Sequence, residues 1–497
     1  MSTSKKITIN ATSAIIQVAF TAVLYFFLYK YLLNTIGIKQ LGVWSLILSF
    51  SSIANLANFG ITSGLVKFVA EYLIEDDKTK VGKLIFTSII TMSILFSIVS
   101  LLVFWGAHYF LHLVIDKEFL EIALVILPFS LASLSINAVA GVFTSVLEGY
   151  QKNYLRNFIY VFSGILMFVL VLLLTPTYHL KGVAIAQTIQ AIFILLSAIL
   201  LTYKISPYNR FSYWKWSRKS FTELFNYGYK FQVVSITQLL YEPTTKLLLS
   251  KFGGLALLGH YEMAARLVTQ FRALLVNANQ VVVPVIAGSN KAKTKEETFS
   301  FFIKMNQIVS LFSFPIAALL IILSPLISLI WIGNVNFDFI FSTIVLTLSG
   351  ALNIVCGPSY FSCMAEGKLS LLVVIHIFMA ITNLILGYLL IFVFGGYGIM
   401  IGWGLALSAG SLLLIIQYIK TIPAHLTQIV SKNELILFCC LFLFSFLTYI
   451  SFYSGYISNN IYIKTGFLFA AYLLIFIPLV LKSEILKGVI SKLKIIK

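Results

Sequence analysis

The chain has 497 residues, of which 60% are hydrophobic and only 10% are charged, and its mean hydropathy is +0.98. A soluble globular protein carries about 25% charged residues, so this composition excludes a soluble fold. The aromatic content of 15% excludes a disordered chain as well. A membrane-spanning helix needs about 20 apolar residues, which leaves room for about fourteen such helices. The sequence therefore predicts an all-α polytopic membrane protein.

Apolar runs in chain order predict where these helices lie. The first run follows Lys5 and Lys6. It is too long for a signal peptide, and no small-residue cleavage site follows it, so we expect an uncleaved first span. The fourteen predicted spans are 12–33, 41–70, 84–111, 119–147, 154–174, 182–203, 224–250, 257–287, 300–331, 339–365, 370–394, 397–419, 435–453 and 462–481.

Basic residues between the predicted spans indicate the orientation. With the N-terminus inside, the inside segments hold 24 Lys and Arg residues and the outside segments hold 5. Cytoplasmic loops carry such an excess, so both termini are expected in the cytoplasm. The same bias explains the net charge of +18 without a nucleic-acid partner. Every predicted outside loop is short, which leaves no room for an extracytoplasmic enzyme domain.

Four landmarks recur at a nearly constant spacing, which indicates an internal repeat. Six helices per copy is an even number, so both copies are expected to have the same orientation, with the substrate in a cleft between them. We predict an N-terminal six-helix lobe (1–203), a cytoplasmic interfacial linker (204–223), a C-terminal six-helix lobe (224–420) and two appended helices with a basic tail (421–497). The landmark pairs are Gly37 and Gly254, Gly42 and Gly259, Glu148 and Glu366, and Gly182 and Gly398, at offsets of 217, 217, 218 and 216.

Apart from three in the opening residues of spans, which are counted with the adjoining loops, six basic residues fall inside predicted spans. Each costs several kcal/mol near the bilayer centre. Lys67 and Lys230 lie close to the cytoplasmic end of a span, where snorkelling explains them as well as function does. Lys30 and Lys246 lie near outer ends at an offset of 216, which makes them approximate counterparts in the repeat. Arg272 is the midpoint of its span, about 22 Å from either end and too deep to snorkel.

The span around Arg272 has a polar face. On a helical wheel its polar residues fall within an arc of about 180°, and apolar residues fill the other side. A membrane helix of this kind lines a water-filled cavity or packs a polar network between helices, and both interpretations are open at this point. The polar face consists of Arg266, Thr269, Gln270, Arg272, Asn277, Asn279 and Gln280.

Two acidic residues precede two of the buried bases by four positions, Glu242 before Lys246 and Glu262 before Arg266. This spacing allows a simple ion pair within one helix. Alternatively, these carboxylates bind H⁺ or Na⁺ and couple transport to an ion gradient. After this pairing Arg272 has no acid on its own helix, which suggests that an anion binds there.

Other chemistry has little support in the sequence. The phosphate-binding pattern G-x-x-x-x-G-K-[ST] is absent, so we expect no ATP site in this chain. His108 and His112 are four positions apart but lack the glutamate of an H-E-x-x-H metal site. The four cysteines form no C-x-x-C pair. We expect no cofactor, no metal and no catalytic residue.

Three short motifs carry a resemblance to a known family. They are Asn-Phe-Gly-Ile-Thr-Ser-Gly-Leu-Val-Lys at 58–67, Leu-Glu-Gly-Tyr-Gln-Lys-Asn at 147–153 and Lys-Gly-Val-Ala at 181–184. Together with the topology of the whole chain, they resemble the polysaccharide-transport branch of the MOP (multidrug/oligosaccharidyl-lipid/polysaccharide) exporter superfamily, the Wzx-type oligosaccharide repeat-unit flippases. Fourteen spans depart from the twelve of many such flippases and match the number in lipid II flippases.

The resemblance implies two six-helix lobes arranged in a V around a central cavity in the bacterial cytoplasmic (inner) membrane. It implies a flippase that carries undecaprenyl-diphosphate-linked oligosaccharide, for O-antigen-type polysaccharide biosynthesis, to the outer leaflet by alternating access. The other expected partners are membrane lipid, H⁺ or Na⁺ as coupling ion, and polysaccharide polymerase machinery. Cationic cavities are known in such flippases. The residues expected to bind the anionic headgroup are Arg272, Arg266, Lys30, Lys246 and Lys67, with Glu262 and Glu242 expected for ion coupling.

Three alternatives remain open at the level of sequence. A lipid II flippase would differ only in the sugar that it carries. A multidrug exporter of the same superfamily moves cationic drugs and needs acidic cavity residues, whereas bases outnumber acids inside the predicted spans here. A membrane enzyme, such as a polymerase of sugar repeats, needs sizeable outside loops, and the short loops disfavour it.

Overall fold

The computed structural model describes residues 3–54, 58, 60–75, 77–205, 215–279, 295–420, 432–453 and 460–482. All regular secondary structure among these residues is helical, as the composition predicts. The middle of the predicted linker, 206–214, and the basic tail, 483–497, lie outside the described residues.

The chain divides into two compact units, Met1–Gly259 and His260–Lys497. The described residues of the first unit form six helices, a π-helical segment at Leu249–Gly253, and the start of a seventh helix. The helices are α1 (Thr3–Ala54), α2 (Ile61–Ile74), α3 (Lys78–Val114), α4 (Lys117–Gly149), α5 (Asn153–Ile205), α6 (Arg218–Leu248) and α7 (Gly254–Asn279).

The described residues of the second unit form the rest of α7 and seven further helices. Within it, α8 packs against α9, α13 and α14, and α12 packs against α9 and α11. The division predicted from the sequence, into two lobes, a linker and a C-terminal segment, stays a prediction. The seven helices are α8 (Lys295–Ile332), α9 (Phe337–Val355), α10 (Gly357–Ala365), α11 (Leu369–Phe394), α12 (Gly396–Ile419), α13 (Lys432–Tyr453) and α14 (Ile461–Lys482).

Apolar side chains hold the first unit together around a core shared by α2, α3, α4 and α6. α5 lies along both α1 and α4. Large side chains that leave water on packing stabilise such a core by about 1.5–3 kcal/mol each, although helices inside a membrane gain less because lipid is already apolar. The buried core residues are Ile61, Leu65, Val69, Val81, Leu84, Ile85, Met92, Phe96, Val142, Val146 and Leu224.

The helices agree with the predicted spans in their places along the chain. Ten helices of the described chain are long and apolar enough to cross a membrane. Two of them, α1 and α5, have 52 and 53 residues. Each follows a path of about 80 Å, more than twice the thickness of the hydrocarbon core. α5 contains two predicted spans, and α1 contains one and the first part of the next. The remaining two predicted spans correspond to α6 and α7, which are not among the ten. The exact count of fourteen stays a prediction.

Two predicted spans are interrupted. The span 41–70 is divided between α1, which ends at Ala54, and α2, which follows Gly60 in a left-handed conformation with φ 66°. The span 339–365 is divided between α9 and α10, where Pro358 lies in the first turn of the new helix. Proline has no backbone N–H to donate, so a helix tolerates it at its start far better than in its interior.

The repeat is visible in the backbone conformation. Gly37, which breaks α1, has φ 80° and ψ 168°, and Gly254, at the start of α7, has φ 81° and ψ 162°. His179, which breaks α5, has φ 47° and ψ −133°, and Gly395, before α12, has φ 58° and ψ −141°. The offsets are 217 and 216, as the sequence landmarks predict.

The turns that follow α4 and α10 give the register of the repeat at those points. The turn after α4 has Gln151 at φ 58°, and the turn after α10 has Gly367 at φ 73°, which is an offset of 216. The hydrogen bonds that close the two turns agree with this offset. They are Lys152 N to Leu147 O after α4 and Lys368 N to Cys363 O after α10.

One predicted landmark pair is therefore wrong. At an offset of 216 the conformational counterpart of Glu148 is Met364, and not Glu366 as the sequence analysis has it. The dipeptide Glu-Gly occurs in both turns, but at positions within the turn that differ by two residues. Matching them displaces the register by two positions.

Candidate functional site

Three of the five predicted headgroup ligands have a carboxylate partner on their own helix. They are Arg266, Lys246 and Lys67. Arg266 Nε lies 2.8 Å from Glu262 Oε1, and Lys246 Nζ lies 3.2 Å from Glu242 Oε1, both at the predicted spacing. Such pairs offset much of the cost of placing a cation in an apolar helix.

Lys67 has a partner that the sequence analysis did not consider. Its Nζ lies 3.6 Å from Glu71 Oε1, one turn further along α2. The same ammonium lies over the Tyr227 ring, 4.8 Å from its centroid, where the face of the aromatic ring attracts a cation. The charge of Lys67 is therefore already partly compensated.

The two acids differ in burial. The Glu262 side chain is 2% exposed, whereas the Glu242 side chain is 60% exposed. A carboxylate that is nearly free of solvent depends far more on its partner for its charge than an exposed one does. The geometry therefore separates two residues that the sequence treats alike.

Lys30 and Arg272 differ from the other three bases. Neither has an acidic side chain within 4 Å in the part of the chain that the structure describes. Lys30 is half-buried on α1, and the residue before it, Tyr29, is fully buried. Because the glycine pairs give an offset of 217 here, Tyr29 is the counterpart of the buried Lys246. The predicted symmetry between Lys30 and Lys246 is therefore displaced by one position.

Arg272 lies in a polar chain that crosses three helices of the second unit. Its Nη2 donates to Oδ1 of Asn353 on α9 at 2.7 Å, and Asn353 Nδ2 donates to Oγ of Ser411 on α12 at 2.9 Å. Ser411 thereby orients the amide so that its oxygen faces the guanidinium. The arginine stem crosses Gly350, where a Cβ would lie only 3.3 Å from Cδ of Arg272. The guanidinium is thus held by a neutral group.

The predicted polar face of α7 can be followed over part of its length. Thr269 is exposed and Gln270 is half-buried, whereas Val268 and Phe271 are buried. The part of the helix that is described therefore separates polar from apolar residues as the wheel predicts. On the rest of the predicted polar face, Gln280 lies outside the described residues, and so do the side chains of Asn277 and Asn279. The side chain of Lys230 on α6 lies outside them as well.

A second polar cluster joins the same three helices. His260 Nδ1 on α7 lies 3.2 Å from Asp338 Oδ2 on α9, and the Tyr397 hydroxyl on α12 donates to Asp338 Oδ1. Its residues precede those of the Arg272 chain on α7, α9 and α12 by 12, 15 and 14 positions. The two clusters are therefore about 20 Å apart along the three helices.

The sequence does not predict this second cluster, although Asp338 is an acid directly before a predicted span. Its neighbours come from two other helices, and no local spacing brings them together. Among the described residues, no group of three or more His, Cys, Asp or Glu side chains is arranged to hold a metal ion.

The chain resembles a known protein family in sequence. Residues 36–336 match the family model described as "Polysaccharide biosynthesis protein", which covers more than half of the chain. The chain belongs to this family. A comparison with curated proteins finds no match.

Solved structures confirm the fold. The inward-facing conformation of a multidrug resistance MATE family transporter of the MOP superfamily has a TM-score of 0.73 and 15% identity, over 82% of this chain and 98% of that one. The lipid II flippase MurJ in an inward closed conformation has a TM-score of 0.67 and 18% identity, over 97% and 99% of the two chains. An outward-facing MATE family transporter has a TM-score of 0.60 and 15% identity, over 84% and 95%.

These findings confirm the resemblance to the MOP exporter superfamily and to its polysaccharide-transport branch. The family and its structural neighbours are transporters and flippases rather than enzymes, as predicted. The chain is therefore a multi-pass membrane protein of the transporter and flippase type. Such low identities establish the fold and leave the substrate to be argued from the residues.

Proposed function

We propose that this flippase moves an undecaprenyl-diphosphate-linked oligosaccharide from the cytoplasmic to the outer leaflet of the bacterial cytoplasmic membrane, with both termini in the cytoplasm. The observation that carries the proposal is the Arg272 site. Its guanidinium is bonded to the neutral Asn353 and has no acidic partner among the described residues. An uncompensated cation inside a membrane helix is costly, so an anion that reaches it is stabilised there.

The chemistry of arginine favours a phosphate as that anion. A guanidinium has five N–H donors in a planar fork that matches phosphate and carboxylate oxygens. Asn353 accepts one hydrogen bond from Arg272, so several donors remain for a ligand. Hydrogen bonds from a charged donor to a charged acceptor are about twice as strong as neutral ones. The proposed ligand is the diphosphate of the lipid carrier, with the polyprenyl tail remaining in lipid.

The remaining bases are proposed to contribute unequally. Lys30, which also lacks an acidic partner among the described residues, is the second proposed ligand. Arg266, Lys246 and Lys67 are proposed to bind the headgroup more weakly, because a carboxylate on the same helix already offsets their charge.

The direction of transport has a physical basis. With the cytoplasm negative, outward movement of an anion is favoured by about 2.3 kcal/mol per charge per 100 mV. For an H⁺ or Na⁺ contribution, Glu262 is the proposed coupling carboxylate rather than Glu242. Its near-complete burial makes its charge state sensitive to whether Arg266 stays beside it.

Leaflet-resolved translocation in proteoliposomes tests the proposal. The substrate is the lipid-linked oligosaccharide extracted from cells that lack this protein. Wild type is compared with Arg272→Ala, and Lys117→Ala serves as a charge-matched control, because Lys117 is exposed at the start of α4. We expect transport by wild type and the control and its loss in Arg272→Ala.

Three other results of this experiment would contradict the proposal or narrow it. Full transport by Arg272→Ala would contradict the anion site. Transport of cationic dyes in place of the lipid would identify a multidrug exporter instead. Equal transport of lipid II and the extracted lipid would leave the diphosphate site intact and remove the assignment to one oligosaccharide, since both substrates carry the same diphosphate.

A further inference from the structure

A cavity of about 200 Å³ lies between α1 and α5, inside the first unit. We call it the α1–α5 cavity. Gln17 and Tyr25 line it from α1, and Tyr160 and Gln190 line it from α5, one on each side of the break at His179. Leucine, methionine and phenylalanine side chains complete the walls. None of the residues that line it is charged.

Hydrogen-bonding capacity inside this cavity is only partly used. Gln190 has no hydrogen-bond partner among the described residues. Gln17 Nε2 reaches Thr21 Oγ1 at 3.4 Å, which is a long and weak hydrogen bond. The Ser163 hydroxyl donates to the Tyr160 backbone oxygen at 3.0 Å and keeps its own acceptor capacity. The cavity therefore offers a ligand both donors and acceptors.

This combination of groups selects a class of ligand. Carboxamides and hydroxyl groups both donate and accept, and aromatic rings present flat apolar faces. A sugar ring has the complementary surface, with hydroxyl groups around its edge and C–H groups on its faces. A phosphate would need a cation in the wall. A lipid chain would leave the carboxamides without hydrogen-bond partners.

A cavity in the second unit shows that this lining is not general. That cavity, of about 210 Å³, is enclosed by α8, α9, α12 and α13. Leucine, isoleucine, valine and phenylalanine make up most of its walls, and it contains a carboxylate, Glu434. The two cavities therefore differ in chemistry, since only the α1–α5 cavity of this pair has carboxamides on its walls and no carboxylate.

We propose that the α1–α5 cavity binds a sugar ring of the transported oligosaccharide through the carboxamides of Gln17 and Gln190. The proposal rests on the proposed function, in which Arg272 binds the diphosphate of the same lipid. Neutral side chains of the first unit would then bind the sugar of the substrate, and a cation of the second unit would bind its phosphate.

Saturation kinetics in proteoliposomes test this assignment. The variants are Gln190→Leu and Gln17→Leu, which keep the side-chain volume and remove the amide. The matched control is Gln187→Leu, since Gln187 lies one turn from Gln190 on α5 and does not line the cavity. The transported substrate is the lipid-linked oligosaccharide from cells that lack this protein. Sugar-free undecaprenyl diphosphate serves as a competing inhibitor.

We expect each cavity variant to raise the half-saturating concentration of the lipid-linked oligosaccharide about tenfold, the loss expected for one or two hydrogen bonds. The inhibition constant of sugar-free undecaprenyl diphosphate should stay within about twofold of wild type, because this inhibitor makes no sugar contact. Gln187→Leu should resemble wild type in both measurements.

The outcomes separate the two proposals. Loss of transport in Arg272→Ala, with both cavity variants like wild type, would overturn the sugar assignment and leave the flippase proposal standing. Weakened inhibition by the sugar-free lipid in the cavity variants would also overturn it, because the cavity would then bind the carrier or support the fold. Unchanged transport in Arg272→Ala would count against the proposed function, whatever the cavity variants do.

Discussion

Gly42 packs against the backbone carbonyl of Leu255, closer than any residue with a Cβ could approach. The contact has a counterpart at the repeat offset of 217, since a Cβ on Gly259 would lie 2.5 Å from the carbonyl oxygen of Ile38. Each copy of the repeated segment therefore supplies the glycine for one contact and the carbonyl for the other. A reciprocal contact of this kind is what two-fold related segments produce.

This reciprocity predicts that Gly42→Ala and Gly259→Ala destabilise the protein by similar amounts. The obstacle is backbone in both cases and cannot move aside as a side chain can, so we expect a cost of about 2 kcal/mol for each. Thermal unfolding of the detergent-solubilised protein measures it. Gly106→Ala is the control, because a Cβ there meets nothing within 4 Å and should stabilise α3 slightly. A fall in only one of the two variants would argue against equivalent contacts.

The breaks at His179 and Gly395 predict opposite effects of two substitutions. Both residues have positive φ with extended ψ, a conformation that only glycine adopts without strain. His179→Gly should raise the unfolding free energy by about 1 kcal/mol, because relief of strain exceeds the entropic cost of glycine. Gly395→Ala should lower it by at least as much. Unfolding temperatures that shift in the same direction for both variants would contradict this equivalence.

Asn353→Asp should abolish lipid transport without lowering the stability of the fold. The new carboxylate would take the place of an amide oxygen that lies 2.7 Å from the Arg272 guanidinium, and would neutralise it. We expect an unfolding temperature equal to or above that of wild type, since close ion pairs away from water are favourable when fully hydrogen-bonded, together with loss of lipid transport.

Asn353→Ala provides the comparison for this prediction. It removes the orienting hydrogen bond but keeps the positive charge, so transport should fall several-fold without disappearing, and the unfolding temperature should drop. If Asn353→Asp transports as well as wild type, the net charge at Arg272 is not what the substrate requires.

The start of α3, which lies outside the membrane-spanning segments, predicts that the stability of the protein depends on pH. Asp77 caps this helix, and its Oδ1 accepts a hydrogen bond from the backbone N–H of Lys80 at 3.0 Å. This bond, followed by the side-chain contact with Lys80, lowers the pKa of Asp77. A carboxyl whose pKa is lower in the folded state stabilises the fold above its unfolded pKa. That stabilisation is lost as the pH falls through the folded pKa.

Asp77→Ala should therefore cost about 1 kcal/mol at pH 7 and less at pH 3. Asp77→Asn keeps a capping oxygen and should be nearly neutral at pH 7, without the acid-dependent loss. Urea or thermal unfolding at both pH values measures the difference. A cost of Asp77→Ala that grows as the pH falls would reverse the sign argued here.

Some contacts of the candidate site could be predicted because they are local. The pair Glu262–Arg266 follows from four-residue spacing on a helix, where neighbouring turns bring side chains together, and the other two acid–base pairs have the same spacing. The partner of Arg272 could not be predicted in this way. Asn353 is 81 residues away, and only the rotation of α9 against α7 decides which side chains face each other.

The sequence by itself determined the class, the helices and the repeat. Apolar runs of span length and a low content of charge are properties of composition and order, and they need no packing to be recognised. Recurrent glycines marked the repeat because glycine is favoured where the chain turns with positive φ or passes against another backbone.

Only the tertiary structure decided which bases keep an uncompensated charge and which neutral groups enclose a cavity. It placed Asn353 at Arg272, formed the cluster around Asp338, and brought Gln17 and Gln190 into the α1–α5 cavity. It also corrected the register of the repeat from an offset of 218 to 216 at the turn after α4. Contacts between helices depend on rotation and depth that no local pattern specifies, so these features follow from packing alone.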